Sequence, residues 1–232
     1  MKNTKNTYHP IRVIFHIIVF LGLFILEQLP LSILTLTKKQ LGTKYSAYQN
    51  YAPIATIVLL IIAASIIIFV FKRAQKFSTQ KFTKSTWMIV GLGTILTLLI
   101  NVATVPFMRS TNDNVEALKL IANNSMVILI IFTIFVAPIL EEILFRGIFM
   151  NWFFVDRPFL SILISGLLFG YVHAPFAADT DWIYALSKIL LGIVLAGVYY
   201  RTKNIKADIT VHFLNNLLAI LGGAIMSGVI LF

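Results

Sequence analysis

The chain contains no cysteine, which excludes disulfides, thiolate metal sites and a cysteine nucleophile together. Charge is scarce as well. Only 12% of the 232 residues are Asp, Glu, Lys or Arg, about half the roughly 25% of an ordinary soluble domain. Acidic side chains are fewest, nine against 19 basic ones. With 59% apolar residues and no hydrophilic stretch long enough for a separate soluble domain, the sequence implies one integral-membrane unit. The net charge of +10 does not mark a nucleic-acid binder. Its Lys and Arg residues occupy short gaps between apolar runs, where they set topology and anchor lipid headgroups. The first apolar run is too long for a signal-peptide core and lacks a small-residue cleavage site, so it is expected to be retained.

The expected fold is all-α, a polytopic transmembrane bundle of about seven spans, multi-pass in the cell membrane. Spans are expected from about Val13 to Leu36, Ala52 to Phe71 and Trp87 to Phe107, with Trp87 as an interface anchor. An interfacial helix over Ser110 to Asn124 has Asp113 as its candidate cap. A long apolar run from Met126 to Phe154 follows, with Pro138 expected to break or kink it. Further spans are expected at Phe159 to His173, Trp182 to Tyr200 and Ile209 to Phe232. The Lys72 to Lys84 gap holds five basic residues and no acidic one, which places it and the N-terminal segment in the cytoplasm. An eight-span alternative divides the long run at Pro138. Organisationally, residues 1–110 supply N-terminal spans and residues 111–232 the functional core.

What the apolar background contains is a small set of misplaced polar residues. Pro138 to Arg146 reads P-I-L-E-E-I-L-F-R, with two carboxylates and an arginine inside the long run. A charged side chain there costs at least about 2.5–3.5 kcal/mol on insertion scales, so it marks a site by default. Glu142 and Arg146 are four apart on one helix face, with the acid first, and are expected to pair. Glu141 is then left free. His173 lies four residues after Phe169, and His212 shares a helix face with Asn216. Together these groups suggest hydrolysis: a base to activate water, a partner to orient it, and donors for an oxyanion. Each also has a packing role to set against this. Intramembrane His and Asn are common interhelical contacts, and Glu27, Asn101, Asn151 and Lys188 are taken as such. Gly166 and Gly170 form one face for close helix contact.

Three segments carry a family resemblance: E-E-I-L-F-R at Glu141 to Arg146, F-G-Y-V-H at Phe169 to His173, and H-F-L-N-N at His212 to Asn216. In that order, inside hydrophobic spans, they resemble the motifs of the CAAX protease and bacteriocin-processing (CPBP, Abi) intramembrane proteases, the type II CAAX prenyl protease group. The resemblance covers roughly Ile121 to the C-terminus. It implies an intramembrane endopeptidase in which Glu141 is the acid/base, His173, His212 and Asn216 complete the site, and Arg146 supports it. Glu142 and Phe169 stand beside these as supporting residues. The expected partners are membrane lipids and a small membrane-associated peptide, such as a bacteriocin or pheromone precursor or a CAAX-like substrate, with no nucleic acid. A metal-free site is slightly favoured. Were zinc bound, Glu141, His173 and His212 would be its ligands, a two-His-one-carboxylate set without the H-E-x-x-H spacing. The alternative function is a non-catalytic membrane immunity or accessory protein that keeps the fold. The seven-span topology puts His173 near the external end of its helix and His212 near the cytoplasmic end of another, so short, tilted or broken helices are needed to bring them together.

Overall fold

The computed structural model describes residues 10–109 and 113–226; the side chains of 113–115 and 223–226 are not described. The Asp113 cap and most of the basic N-terminal segment therefore lie outside the described residues. Helices, with short 3-10 and π-helical segments, make up the ordered structure, and no strand occurs among the described residues. Helix α1 spans Pro10–Ser32, the short α2 Lys38–Leu41, α3 Tyr45–Ala74 and α4 Lys84–Thr104. Helix α5, Asp113–Ile131, leads into a π-helical segment, Phe132–Val136, then α6, Ala137–Glu142, a second π-helical segment, Ile143–Phe149, and α7, Met150–Trp152. Helices α8 (Pro158–His173), α9 (Trp182–Thr202) and α10 (Ile205–Met226) complete the chain.

Five helical runs are long and apolar enough to cross a membrane: Pro10–Thr35, Lys38–Ala74, Lys84–Phe107, Glu116–Trp152 and Trp182–Thr202. Alongside them stand the 16-residue apolar α8 and the 22-residue α10. The chain is thus an all-α, multi-pass membrane bundle, and Trp87 is exposed at the start of its helix, where an interface anchor belongs.

Of the two effects expected of Pro138, a break or a kink, the break does not occur. The helix does not part there. It stays wound through Pro138, and its one non-helical residue is Ser125, with φ −163° and ψ 95°, which separates the polar Asp113 to Asn124 stretch from the apolar run. Proline is accommodated because the preceding turn is π-helical, with Ala137 N–H bonded to the Phe132 carbonyl five residues back. In that register the donor for the Thr133 carbonyl would be residue 138, which has no N–H. The carbonyl is freed without breaking the helix.

The core lies among α6 to α10. Helices α8 and α9 pack at backbone distance: a Cβ added at Gly166 would stand 2.8 Å from the Ile193 nitrogen, and one at Gly170 2.8 Å from the Ile189 nitrogen. Gly192 faces them from α9, where an added Cβ would meet the Gly166 carbonyl oxygen at 2.9 Å. Any larger side chain at these positions would force the pair apart, so the small-residue face expected on α8 has a matching glycine on α9. Helix α9 also packs on α4 and α10. Helices α1 and α3 lie against each other and against the 143–149 segment, with apolar side chains such as Ile14, Ile61 and Leu99 turned outward, as lipid contact requires.

Candidate functional site

Glu141 and Glu142 are neighbours on one helix and point to different worlds. Glu142 is fully buried. Its Oε1 accepts from Arg146 Nη1 at 3.0 Å and from His212 Nδ1 at 2.8 Å. Arg146, also fully buried, donates from Nη2 to the Gly192 carbonyl at 2.6 Å, which ties the glutamate helix to the glycine face of α9. The expected Glu142–Arg146 pair is therefore present, and it is a joint among three helices. Asp208, four residues before His212 on α10, is buried within hydrogen-bonding reach of Glu142. Glu142 Oε2, both Asp208 oxygens and Arg146 Nε have no partner; a proton shared between the two carboxyls would join two of those oxygens.

Glu141 faces a cavity of about 360 Å³. Its Oε2 is buried and has no hydrogen-bond partner. His173 Nε2 approaches that oxygen to 3.8 Å and His212 Nε2 to 3.9 Å. The other nitrogen of each ring fixes its proton. His173 Nδ1 lies 2.8 Å from the Phe169 carbonyl, which can only accept, and His212 Nδ1 lies 2.8 Å from the Glu142 carboxylate. Both rings thus carry a proton on Nδ1 and turn Nε2 toward Glu141. Three acceptor atoms converge around a space between them. The gaps are too long for direct hydrogen bonds, and one water can donate to two of the three acceptors.

The apparent topological conflict between the histidines is resolved by length. Helix α8 has 16 residues, about 24 Å at 1.5 Å per residue, short of the roughly 30 Å hydrocarbon core. His173 at its end therefore stays inside the bundle. Phe169, fully buried, holds the rings in place: it stacks on His173 with centroids 4.4 Å apart and meets His212 edge-on at 5.6 Å.

Asn216 lines the same cavity. Its Nδ2 donates to the Thr133 carbonyl at 2.9 Å, the carbonyl that Pro138 leaves without a backbone partner. A relay continues away from it, Asn215 Nδ2 to Asn216 Oδ1 at 3.1 Å and Asn101 Nδ2 to Asn215 Oδ1 at 2.9 Å. Asn101 is thus an interhelical contact, as expected. Asn151 also serves packing: it receives the Lys76 N–H and donates to the Tyr199 hydroxyl, each at 2.8 Å.

The structure brings Glu141, His173, His212 and Asn216 to one cavity and sets Glu142, Arg146 and Phe169 directly behind them. It also places at the cavity two residues expected to serve only as packing contacts. Glu27, buried on α1, and Lys188, half-buried on α9, both line the cavity. Their signal was plain, a charge inside a span, but neither stood in a motif. Asp208 was missed because it lies at a helix start, where an acidic residue is ordinary. As for metal, no group of three or more His, Asp or Glu side chains among the described residues is arranged to hold an ion. Separations of 3.8 and 3.9 Å exceed the roughly 3.3–3.4 Å edge of a tetrahedron with bonds of about 2.0–2.1 Å, so Glu141, His173 and His212 as placed do not fit a three-ligand zinc site.

Comparison with known proteins agrees with the motif resemblance. Residues 123–218, which contain all three motifs, match the family model described as type II CAAX prenyl endopeptidase Rce1-like. The chain is 27% identical over 214 residues to UPF0177 protein YvdC of Lactococcus lactis subsp. lactis, covering 88% of this chain and 76% of that protein. It is 37% identical over 90 residues to the "Putative membrane peptidase YdiL" of Bacillus subtilis, covering 38% of this chain and 34% of that protein. No solved structure matches. These similarities support an intramembrane protease.

Proposed function

We propose that this protein is an intramembrane endopeptidase that hydrolyses a peptide bond of a small membrane-associated peptide or protein with a water activated by Glu141. The observation that carries the reading is the convergence of His173 Nε2 and His212 Nε2 on the unpartnered Glu141 Oε2, inside a cavity among apolar helices. Glu141 takes a proton from a water that His173 Nε2 orients through the water's second hydrogen. The water oxygen bonds to the carbonyl carbon as the C=O π pair moves onto oxygen. His212 and the second N–H of Asn216 donate to that oxyanion. For this His212 must also carry a proton on Nε2, and the Glu142 carboxylate on its Nδ1 side is placed to hold such an imidazolium. Collapse of the intermediate breaks the C–N bond, and Glu141 returns its proton to the leaving nitrogen. An acid and an amine result.

The cavity also has a direction. Ser32 and Thr35 at the end of α1 and Leu118 on the stretch before Ser125 line one side, while Glu142, Arg146 and Asn151 lie buried on the other. The open side is the one opposite the basic Lys72 to Lys84 link, which the positive-inside rule assigns to the exterior. Substrate and water then reach Glu141 from outside the cell. Because the chain has no cysteine, a single Thr35→Cys variant should react in intact cells with a membrane-impermeant maleimide; reaction only after permeabilisation would reverse the orientation.

The test of the activity itself is mass spectrometry of peptides from membranes carrying the native protein or Glu141→Ala. Peptides that differ only in processing should appear with the native protein alone. Chelators such as EDTA or phenanthroline should leave the activity intact, and loss restored by zinc would replace the water-on-glutamate scheme with a metal-ligand one. A non-catalytic immunity or accessory role draws on one observation, that the Asn216 amide is already engaged with the Thr133 carbonyl, as a purely structural asparagine would be.

A further inference from the structure

Two charged groups on the cavity wall have no part in the hydrolysis just described, Glu27 and Lys188. Glu27 has a donor in the neighbouring Gln28 amide. Lys188 has no acceptor: among the described residues no hydrogen bond and no ion pair reaches its ammonium, which lies 5.2 Å from the centre of the Tyr184 ring. It is close enough to act electrostatically on Glu141, His173 and His212, yet none of them pairs with it. Its position is fixed by the backbone, since its neighbour Ile189 is pressed against Gly170 in the glycine face between α8 and α9. An unpaired ammonium held on a rigid wall within a membrane span calls for an anionic partner that arrives from elsewhere.

We propose that Lys188 is a specificity-determining residue: it binds a carboxylate of the peptide substrate, an Asp or Glu side chain or the chain's C-terminus, and so sets the distance from that carboxylate to the bond that is cut. This rests on the peptidase reading. A singly charged carboxylate suits the site better than a phosphate, because Glu27 and Glu141 on the same wall would repel a dianion. An ammonium on a flexible stem is a point charge with three donors, able to meet a carboxylate that differs in approach from one peptide to the next. Without such a ligand, the same side chain would only lay its stem along α9 toward Tyr184, with its charge directed to the interface.

The experiment uses the full chain in nanodiscs and a set of fluorogenic Leu/Ala peptides. The peptides are neutral, or carry one Glu at successive positions, each with a free or amidated C-terminus. Lys188→Met keeps the stem and removes the charge; Lys188→Glu reverses it. The native protein should prefer one acidic form by at least tenfold in kcat/KM. Lys188→Met should abolish that preference through KM, with kcat nearly unchanged, and Lys188→Glu should shift it toward peptides carrying Lys at the same place. Sensitivity to amidation identifies the C-terminus as the ligand, and sensitivity to Glu position identifies a side chain. Equal losses on neutral and acidic peptides, or no change at all, overturn the assignment. Peptide-dependent thermal stabilisation of Glu141→Gln, with and without Lys188→Met, reads binding without cleavage. If acidic peptides stabilise only the protein that keeps Lys188 while nothing is ever cut, the peptidase reading fails and the carboxylate site stands; if they stabilise both equally, the site fails.

Discussion

The two sides of the glutamate helix are built on opposite rules. On the sealed side, Glu142, Arg146 and His212 are buried and joined to one another and to the Gly192 carbonyl, with the buried Asp208 beside them, although Glu142 Oε2, Arg146 Nε and both Asp208 oxygens keep no partner of their own. On the open side, Glu141 Oε2 has no partner, and Lys188 lines the same cavity with no carboxylate paired to its ammonium. Adjacent residues of the same type thus serve different ends: the carboxylate whose Oε1 takes two donors holds helices, and the one that faces the cavity is kept available. Buried charge paired across helices tells of assembly. Buried charge left unpaired is costly and points to a ligand or a reaction.

Substitution of the two glutamates separates these rules most sharply. Glu141→Ala should lower cleavage by about 10²–10⁴-fold, the usual worth of a general base, while the protein accumulates in the membrane at its normal level. Retained activity would remove Glu141 from its role. Glu142→Ala leaves Arg146 buried without its counter-ion, a loss of about 3–5 kcal/mol, and should appear first as poor accumulation and a lowered Tm in detergent. A well-folded but inactive Glu142→Ala would show that its hold on the His212 imidazolium outweighs its part in the joint between helices.

A smaller effect probes the boundary between the two sides, where His212 touches both. If His212 and Asn216 act on one oxyanion, His212→Ala with Asn216→Ala should be little slower than His212→Ala alone. Independent packing roles would give stability losses that add to within about 0.3–0.5 kcal/mol, with cleavage per folded molecule unchanged. That outcome favours the accessory-protein reading, and rate and Tm measured on the two single variants and the double decide it.

The smallest expected effect lies outside the bundle, where a carboxylate is satisfied by backbone alone. Asp181 caps α9 by accepting the Ile183 and Tyr184 N–H groups at 3.1 Å and receives the Arg109 N–H at 2.7 Å. Burial by itself would raise its carboxyl, but these donors and the Arg109 guanidinium hold it below the usual carboxylate range. Its stabilisation is therefore present above the unfolded value of about 3.9 and disappears as pH falls through the lower folded value. Asp181→Ala should cost about 0.5–2 kcal/mol at neutral pH and nothing once the native carboxyl is protonated. A Tm difference that persists unchanged into acid would show that the cap is not electrostatic.

Much of this arrangement was legible in the sequence, because a polar residue in an apolar run stands out and helical spacing says which ones share a face. Glu142 with Arg146, His212 with Asn216, and the glycines of α8 could be placed that way. The short span ending at His173 could be placed too, between Pro158 and Pro175, but convergence between distant helices could not, since nothing local says which of them meet. The effect of Pro138 was less legible for a related reason. Its effect depends on the register of the preceding turn, and only a π-helical register lets proline stay within the helix while Asn216, 83 residues away, takes the carbonyl it leaves. Glu27 and Lys188 were visible as charges but carried no local pattern, and their meaning arises only where α1 and α9 meet the same cavity.

The joint at Arg146 also bears on how the chain is made. When the helix carrying Glu141, Glu142 and Arg146 leaves the ribosome, Gly192, Asp208 and His212, which will surround its charges, have not yet been synthesised. Three ionisable groups within six residues make that segment a poor candidate for independent release into lipid. It is best retained beside the translocon until α9 and α10 follow, so that roughly the last fifth of the sequence acts as an internal chaperone for the middle. A chain stopped after α8 would then leave the glutamate helix unaccompanied and exposed to membrane quality control, although every residue of that helix is present.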